Sequence, residues 1–346
     1  MEEKQHKRRV HYSGKYPKKF EEKYKEHNPE KYGDTVARVI EKGSTPAGMH
    51  ISIMVQEILD FLEIKPGQQG LDCTLGYGGH SGKMLEQLQG KGRLVSLDID
   101  PIESEKTVKR MRDAGFGEDI FQFRLTNFAN IDDVAKEFGK FDFVLADLGV
   151  SSMQIDNPER GFSYKTEGPL DLRLDPFHGD SAAVRLRQID QREFEGMLIE
   201  NSDEPFAKEI AAKVFKMMRD GALMNTTQEL RHAVEEALVR VPKDERADAV
   251  KKSCARTFQA LRIDVNSELE VLYSFLEKLE GILNPGGRVA VLTFHSGEDR
   301  LVKKAFKELQ RAGIFSEISK DALRPSQEEC RLNPRAKSTK MRWAVK

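Results

Sequence analysis

The chain has 346 residues, a formal net charge of −1 and 33% charged residues. That is enough chain for one large domain or two ordinary ones, with the make-up of a globular protein rather than a fibrous or disordered one. No apolar run reaches membrane-spanning length, the charged start Met1 to Arg9 lacks a secretory core, and Cys73, Cys254 and Cys330 are too few for a disulfide framework.

These exclusions predict a cytoplasmic protein with no membrane partner. Near-zero net charge does not announce a nucleic acid, so local charge carries more information. Residues 1–47 form a basic, aromatic arm: His11, Tyr12, Tyr16, Phe20, Tyr24 and Tyr32 interleave with Lys and Arg. Two readings stay open. The arm grips a nucleic acid by charge and stacking, or its aromatic stripe docks on the rest of the chain.

Beyond the loop at Gly43 to Gly48, the pattern predicts an amphipathic helix over Ser52 to Leu62, stopped by Pro66-Gly67. A first strand then runs into the glycine turn Gly76-Tyr77-Gly78-Gly79-His80-Ser81. A short helix to Leu88 and a second strand ending in Asp98-Ile99-Asp100 follow. Pro101 opens a helix, Phe121 to Leu125 is a third strand, and Phe141 to Asp147 is a fourth. Strands alternating with helices at this spacing mean a parallel α/β sheet.

The alternation then stops. From Ser151 to about Ser253 a polar loop leads into helical patterns at Gln191 to Ile199, Pro205 to Met218 and Thr227 to Val239. This reads as a helical insertion. A long helix near Leu261 to Leu283, a turn at Asn284-Pro285-Gly286-Gly287, a strand to Phe294, a helix to Ala312 and two last β segments complete the chain. The predicted organisation is an arm (1–47), a sheet domain (48–155 and 255–346) and an inserted helical domain (156–254).

A glycine turn after one strand and an acid at the tip of the next hold a nucleoside-type cofactor on an open parallel sheet. A dehydrogenase is the first rival, but its fingerprint needs glycine where Ser81 stands. The fourth strand discriminates further. It ends in Asp147, at the sheet edge where an acceptor can hold an exocyclic amine for methylation.

Several stretches together make an identification. They are Asp147-Leu148-Gly149-Val150-Ser151-Ser152, the block Gln154 to Tyr164, and Gly168 to Pro176. Ala255 to Ile263, Thr293 to Arg300 and Asn333-Pro334-Arg335 complete the set. The chain resembles the RsmH (MraW) family from about His50 onward. The resemblance implies a Rossmann-like class I methyltransferase sheet with an inserted helical domain. It implies transfer of a methyl group from S-adenosylmethionine to N4 of a cytosine in the decoding region of 16S ribosomal RNA, in naked RNA or the small ribosomal subunit. It puts cofactor contacts at Gly78, Gly79, His80, Asp98, Phe128, Asp147 and Gln154, with Asp147 catalytic.

Two departures mark a divergent second paralogue. The family's usual Leu is Gly297 here, and the N-terminal arm is an addition. The alternatives are another RNA target or a non-catalytic RNA-binding assembly factor. Arg160, Arg173, Arg256 and Arg262 read as RNA contacts or as ion-paired structural residues. Phe258 reads as a base platform or as core, and the stretch Arg324 to Lys346 as a phosphate contact or a solvated tail. His80 and His295 each have a structural alternative. No metal-ligand spacing occurs among His50, His80, His295 and the cysteines, so no metal is predicted. The oligomeric state is left open, a homodimer included.

Overall fold

The computed structural model describes residues 52–346. The N-terminal arm lies outside the described residues. Seven strands form one sheet in the order β3-β2-β1-β4-β5-β7-β6. They are β1 (Gln69–Asp72), β2 (Arg93–Asp98), β3 (Phe121–Leu125), β4 (Phe141–Asp147), β5 (Leu283–Thr293), β6 (Glu317–Ile318) and β7 (Lys340–Val345). The first five pair in parallel, and β7 enters antiparallel between β5 and β6.

Strand order reverses between β1 and β4. The carboxyl ends of β1, β2 and β4 therefore surround a crevice, the usual ligand position in an open α/β sheet. The strands are apolar because both faces are covered: Phe143, Val144 and Leu145 are fully buried in β4. Each such side chain contributes about 1.5–3 kcal/mol by leaving water. Gly70 in β1 makes room for one of them, since a Cβ there would lie 2.0 Å from the Phe143 ring.

Helices α1 (Val55–Leu62), α2 (Gly79–Leu88), α3 (Pro101–Asp113) and α4 (Ile131–Phe138) cover the first half of the sheet. After β4 come the short α5 (Ser152–Asp156), then α6 (Ala182–Gln188), α7 (Gln191–Ser202), α8 (Ala207–Arg219) and α9 (Thr227–Ala237). They pack around a core of their own, with Leu186, Phe194, Ile210, Leu230 and Leu261 fully buried in it.

The structure corrects the reading of the segment after this core. In place of one helix over 261–283 there are two, α10 (Lys243–Val265) and α11 (Glu268–Ile282). The break is tertiary in origin. The Asn266 amide donates to the Leu172 carbonyl and accepts from the Leu174 N–H, and Ser267 takes a left-handed backbone. Helix α10 also runs unbroken through position 255, where the sequence places the edge of the insert.

The turn at 284–287 is a bulge inside β5. Phe141 faces Leu283 while Phe143 faces Arg288, so the intervening residues loop out of the ladder. Helix α12 (Ser296–Arg311) and the short α13 (Gln327–Leu332), which the sequence reading missed, complete the fold. The basic C-terminal stretch is no solvated tail. It carries β7, and Lys340 and Arg342 both pair with Asp299 of α12.

Candidate active site

Three adjacent strands, β2, β1 and β4, end in acids: Asp98, Asp72 and Asp147. The sequence reading singled out the outer two and passed over Asp72. Its signal was present, because it ends the first strand as the others end theirs.

The glycine turn between β1 and α2 is held from below and from the side. Gly76 and Gly78 take positive φ angles of 47° and 76°. The Gly76 N–H donates to Asp98 Oδ2 at 2.8 Å, and the Gly76 carbonyl accepts from Thr107 Oγ1 at 2.7 Å. Arg110 donates to the Tyr77 carbonyl and lies over its ring. Gly79 and His80 begin α2, where main-chain N–H groups lack helical partners.

Asp98 also accepts from the Asp100 N–H at 2.9 Å. Burial pushes its carboxyl up to about 6, and the two N–H donors oppose that rise. Asp72 is buried beneath the turn. It accepts from Ser81 Oγ at 2.6 Å and from the Thr74 N–H at 3.1 Å. Its carboxyl is raised by burial, with Ser81 and the neighbouring His80 opposing.

Asp147 stands at the reacting edge. Its own N–H donates to Thr74 Oγ1 at 2.8 Å, which ties the end of β4 to the start of the turn. Burial pushes its carboxyl up to about 6; His80 counteracts this, while Asp72 and Glu298 add to it. Asp147 Oδ2 lies 3.4 Å from His80 Nδ1, and the side chain is 27% exposed. Its Oδ1 is buried without a hydrogen-bond partner among the described residues.

Phe128 follows β3 and meets Phe275 of α11 edge to face at 5.5 Å, so its ring is braced from behind. Gln154 is placed differently. It is buried, and both ends of its amide are engaged. The oxygen accepts from the Ser151 N–H and the nitrogen donates to Asp100 Oδ2 at 2.7 Å. Arg160 donates to the same Asp100 oxygen, also at 2.7 Å. The structure thus brings Gly78, Gly79, His80, Asp98 and Asp147 around the turn, and Gln154 is joined to Asp100, two residues beyond Asp98.

The other candidate arginines are in ion pairs. Arg173 makes two bonds to Asp171, Arg262 two to Glu268, and Arg256 lies 3.9 Å from Glu204. Phe258 is buried in the helical core against Tyr164. His295 caps α12, its Nδ1 accepting from the Glu298 N–H at 3.4 Å. Glu268, His295 and Glu298 converge, but Arg262 already supplies a cation to Glu268.

A model of the MraW methylase family matches residues 47–346. The chain is 66% identical over 345 residues to ribosomal RNA small subunit methyltransferase H 1 of Agathobacter rectalis, covering 100% of this chain and 99% of the relative. It is 57% identical to ribosomal RNA small subunit methyltransferase H 2 of Alkaliphilus metalliredigens, covering 99% of both. Ribosomal RNA small subunit methyltransferase H of Thioalkalivibrio sulfidiphilus is 39% identical, covering 86% of this chain and 98% of the relative.

Proposed function

The chain belongs to the MraW methylase family, and from that premise we propose that it methylates N4 of a cytosine in the decoding region of 16S ribosomal RNA, with S-adenosylmethionine as donor. The relatives' names support a small-subunit ribosomal RNA substrate. The choice of an exocyclic amine rests on one observation: Asp147, its side chain 27% exposed, ends β4 at the ligand edge of the sheet, where a carboxylate can accept from an amine N–H of the target base.

The residues present fit the cofactor. In front of Gly76 a Cβ would meet nothing nearer than the Thr74 carbonyl at 3.9 Å, so the turn is open to a close-packed ligand. Asp98 would take the ribose hydroxyls, the N–H groups at the start of α2 the polar end, and Phe128 the adenine face. When bound, S-adenosylmethionine would supply a methyl group on a positively charged sulfur; the sulfur would keep the electron pair of the broken bond, and the methylated nitrogen would shed one proton to water.

The work left for the protein is to make the amine nucleophilic. The lone pair of a cytosine amine is delocalised into the ring. An acceptor that holds one N–H favours a pyramidal nitrogen and frees that lone pair. Asp147 does this from a fixed strand end, with its backbone pinned by Thr74. The cysteines described as free, Cys73, Cys254 and Cys330, suit the reducing cytoplasm we assign to it.

Nucleoside mass spectrometry of ribosomal RNA from cells with and without the gene tests the reading. Loss of N4-methylcytidine on deletion is expected, and an unchanged level overturns the substrate. Asp147→Ala should lower kcat about 100- to 1000-fold, as removal of one transition-state hydrogen bond does.

A further inference from the structure

The loop at 171–180, which leads into α6, is fastened on both sides of the crevice. On the β2 side Arg160 binds Asp100 and also donates to the Arg173 and Leu174 carbonyls. On the β5 side the Asn266 amide holds the Leu172 carbonyl and the Leu174 N–H. Asn266 stands two residues before Glu268, which converges with His295 and Glu298 just past the end of β5. Strands β1 and β4 lie between β2 and β5 in the sheet. The loop therefore bridges the ligand edge that carries the glycine turn and Asp147.

The tip of this loop displays two rings to solvent. Phe177 is 69% exposed, more than any other large apolar side chain among the described residues. His178 beside it is 84% exposed. The backbone beneath them is nonetheless fixed. Asp175 accepts from the Phe177 N–H at 3.0 Å and from His178 Nδ1 at 2.7 Å. Arg173 closes the loop by donating to Asp171 and to the Gly179 carbonyl. A single exposed apolar side chain is ordinary, but a ring held out on a braced backbone loses little freedom when something packs on it.

The chemistry of the loop selects the occupant. Arg173 is the one lysine or arginine between 171 and 180, and its guanidinium is taken up by Asp171 and Gly179. Asp171, Asp175 and Asp180 repel phosphate, so the loop does not draw RNA by charge. It offers a π-face, and every nucleobase has a matching one. Single-stranded RNA is read by stacking splayed bases on such rings. Phe177 lies three residues beyond Leu174, a reach of about 11 Å at most. A target base must enter the crevice to reach Asp147, so the exposed ring meets its neighbour in the strand.

We propose that Phe177 is a stacking platform for a nucleotide that flanks the methylated base, and that it contributes to the choice of target. This rests on the RNA methylation proposed above. Contacts to flanking nucleotides are how base-modifying enzymes acquire sequence context.

The experiment compares the full-length wild type with Phe177→Ala, Phe177→Leu and Phe177→Tyr. The substrates are small ribosomal subunits from cells lacking the gene, and the 16S RNA extracted from them. Phe177→Ala should raise KM for the RNA about 5- to 150-fold, the loss of one stacked base. Its kcat, its Kd for S-adenosylmethionine and its thermal midpoint should not change, because the contact is equal in ground and transition states and the ring packs in no core. Phe177→Tyr should match wild type. Phe177→Leu, apolar but without a π-face, should match Phe177→Ala. The salt dependence of RNA binding should keep its slope, since no phosphate contact is lost. An unchanged KM in Phe177→Ala, or a shallower salt slope, overturns the platform. Full recovery by leucine also overturns it, and identifies an apolar contact with protein instead. A wild type that methylates neither substrate overturns the proposed function itself, a failure that the comparison of variants does not produce.

Discussion

Arg160 donates to Asp100 at 2.7 Å across sixty residues of sequence, with both side chains buried. One end of this pair is the N-cap of α3, two residues after Asp98, the acid proposed to hold the ribose. The other end lies in the loop that leads into the helical layer. Arg160 also donates to the Arg173 and Leu174 carbonyls, so it ties a motif loop to the end of β2.

Removing one partner of a buried pair leaves an uncompensated charge, which costs about 3–5 kcal/mol. Arg160→Ala should lose stability of that order in urea unfolding. Arg160→Lys should recover little of it, because an ammonium lacks the planar fork that reaches Asp100 and two carbonyls together. A loss below about 1 kcal/mol for Arg160→Ala would show that water replaces the guanidinium.

Cofactor affinity should depend on pH through Asp98. Its carboxyl is raised from an ordinary 3.8 to about 6 by burial. The empty protein therefore holds a proton on Asp98 more tightly than the unfolded chain does, and its stability falls as pH rises across that window. Ribose hydroxyls donate to the carboxylate and so favour its ionised form. Binding then expels a proton below about pH 6. The Kd for S-adenosylmethionine should fall as pH rises toward 6, by up to tenfold per unit, and flatten above. Calorimetry in buffers of different ionisation enthalpy reads the proton release directly. Asp98→Asn should abolish it, which separates Asp98 from Asp147.

The two glycines of the turn should respond differently to alanine. Both take left-handed backbone, which costs an L-residue about 1–2 kcal/mol. At Gly78 a Cβ would also lie 2.9 Å from Thr107 Cγ2 and 3.1 Å from Met111 Sδ. Gly78→Ala should therefore lower the unfolding free energy by more than Gly76→Ala. At Gly76 the added methyl enters open space at the ligand edge, so cofactor affinity should suffer more than stability. Thermal unfolding and calorimetric titration of the two variants check the contrast.

What could be read from the sequence was what local pattern determines. Strands β3 and β4 sit at the residues expected, because an apolar strand is written in consecutive residues. The glycine turn and the strand-end acids were legible for the same reason. The pairings that finish the site are long-range and left no local mark. Asn266 breaks a helix by bonding to residues more than ninety positions away. Arg160 finds Asp100, and His80 finds Asp147, only once the sheet is assembled. Gln154 was singled out by resemblance alone, and its buried amide shows it bracing Asp100, a partner that no spacing rule connects to it.

Gly297, where the resemblance led to an expectation of leucine, sets two effects against each other. Glycine in the first turn of α12 costs up to about 1 kcal/mol relative to a good helix former. Gly297 also borders a cavity of about 420 Å³ whose walls include Leu269, Tyr273 and Leu301. A leucine there would gain helix propensity and cover apolar surface. Against this, a Cβ at 297 would come 3.1 Å from His295 Nδ1 and 3.2 Å from Cε1, so the imidazole must yield by a few tenths of an ångström. The ring cannot yield freely, because both nitrogens are held by buried Glu298: Nδ1 accepts from its N–H at 3.4 Å and Nε2 lies 3.2 Å from its Oε1. Gly297→Leu should thus lower the unfolding free energy in urea titration, the strained cap outweighing a propensity gain of about 1 kcal/mol. A stabilised variant would mean that the His295 cap shifts at little cost.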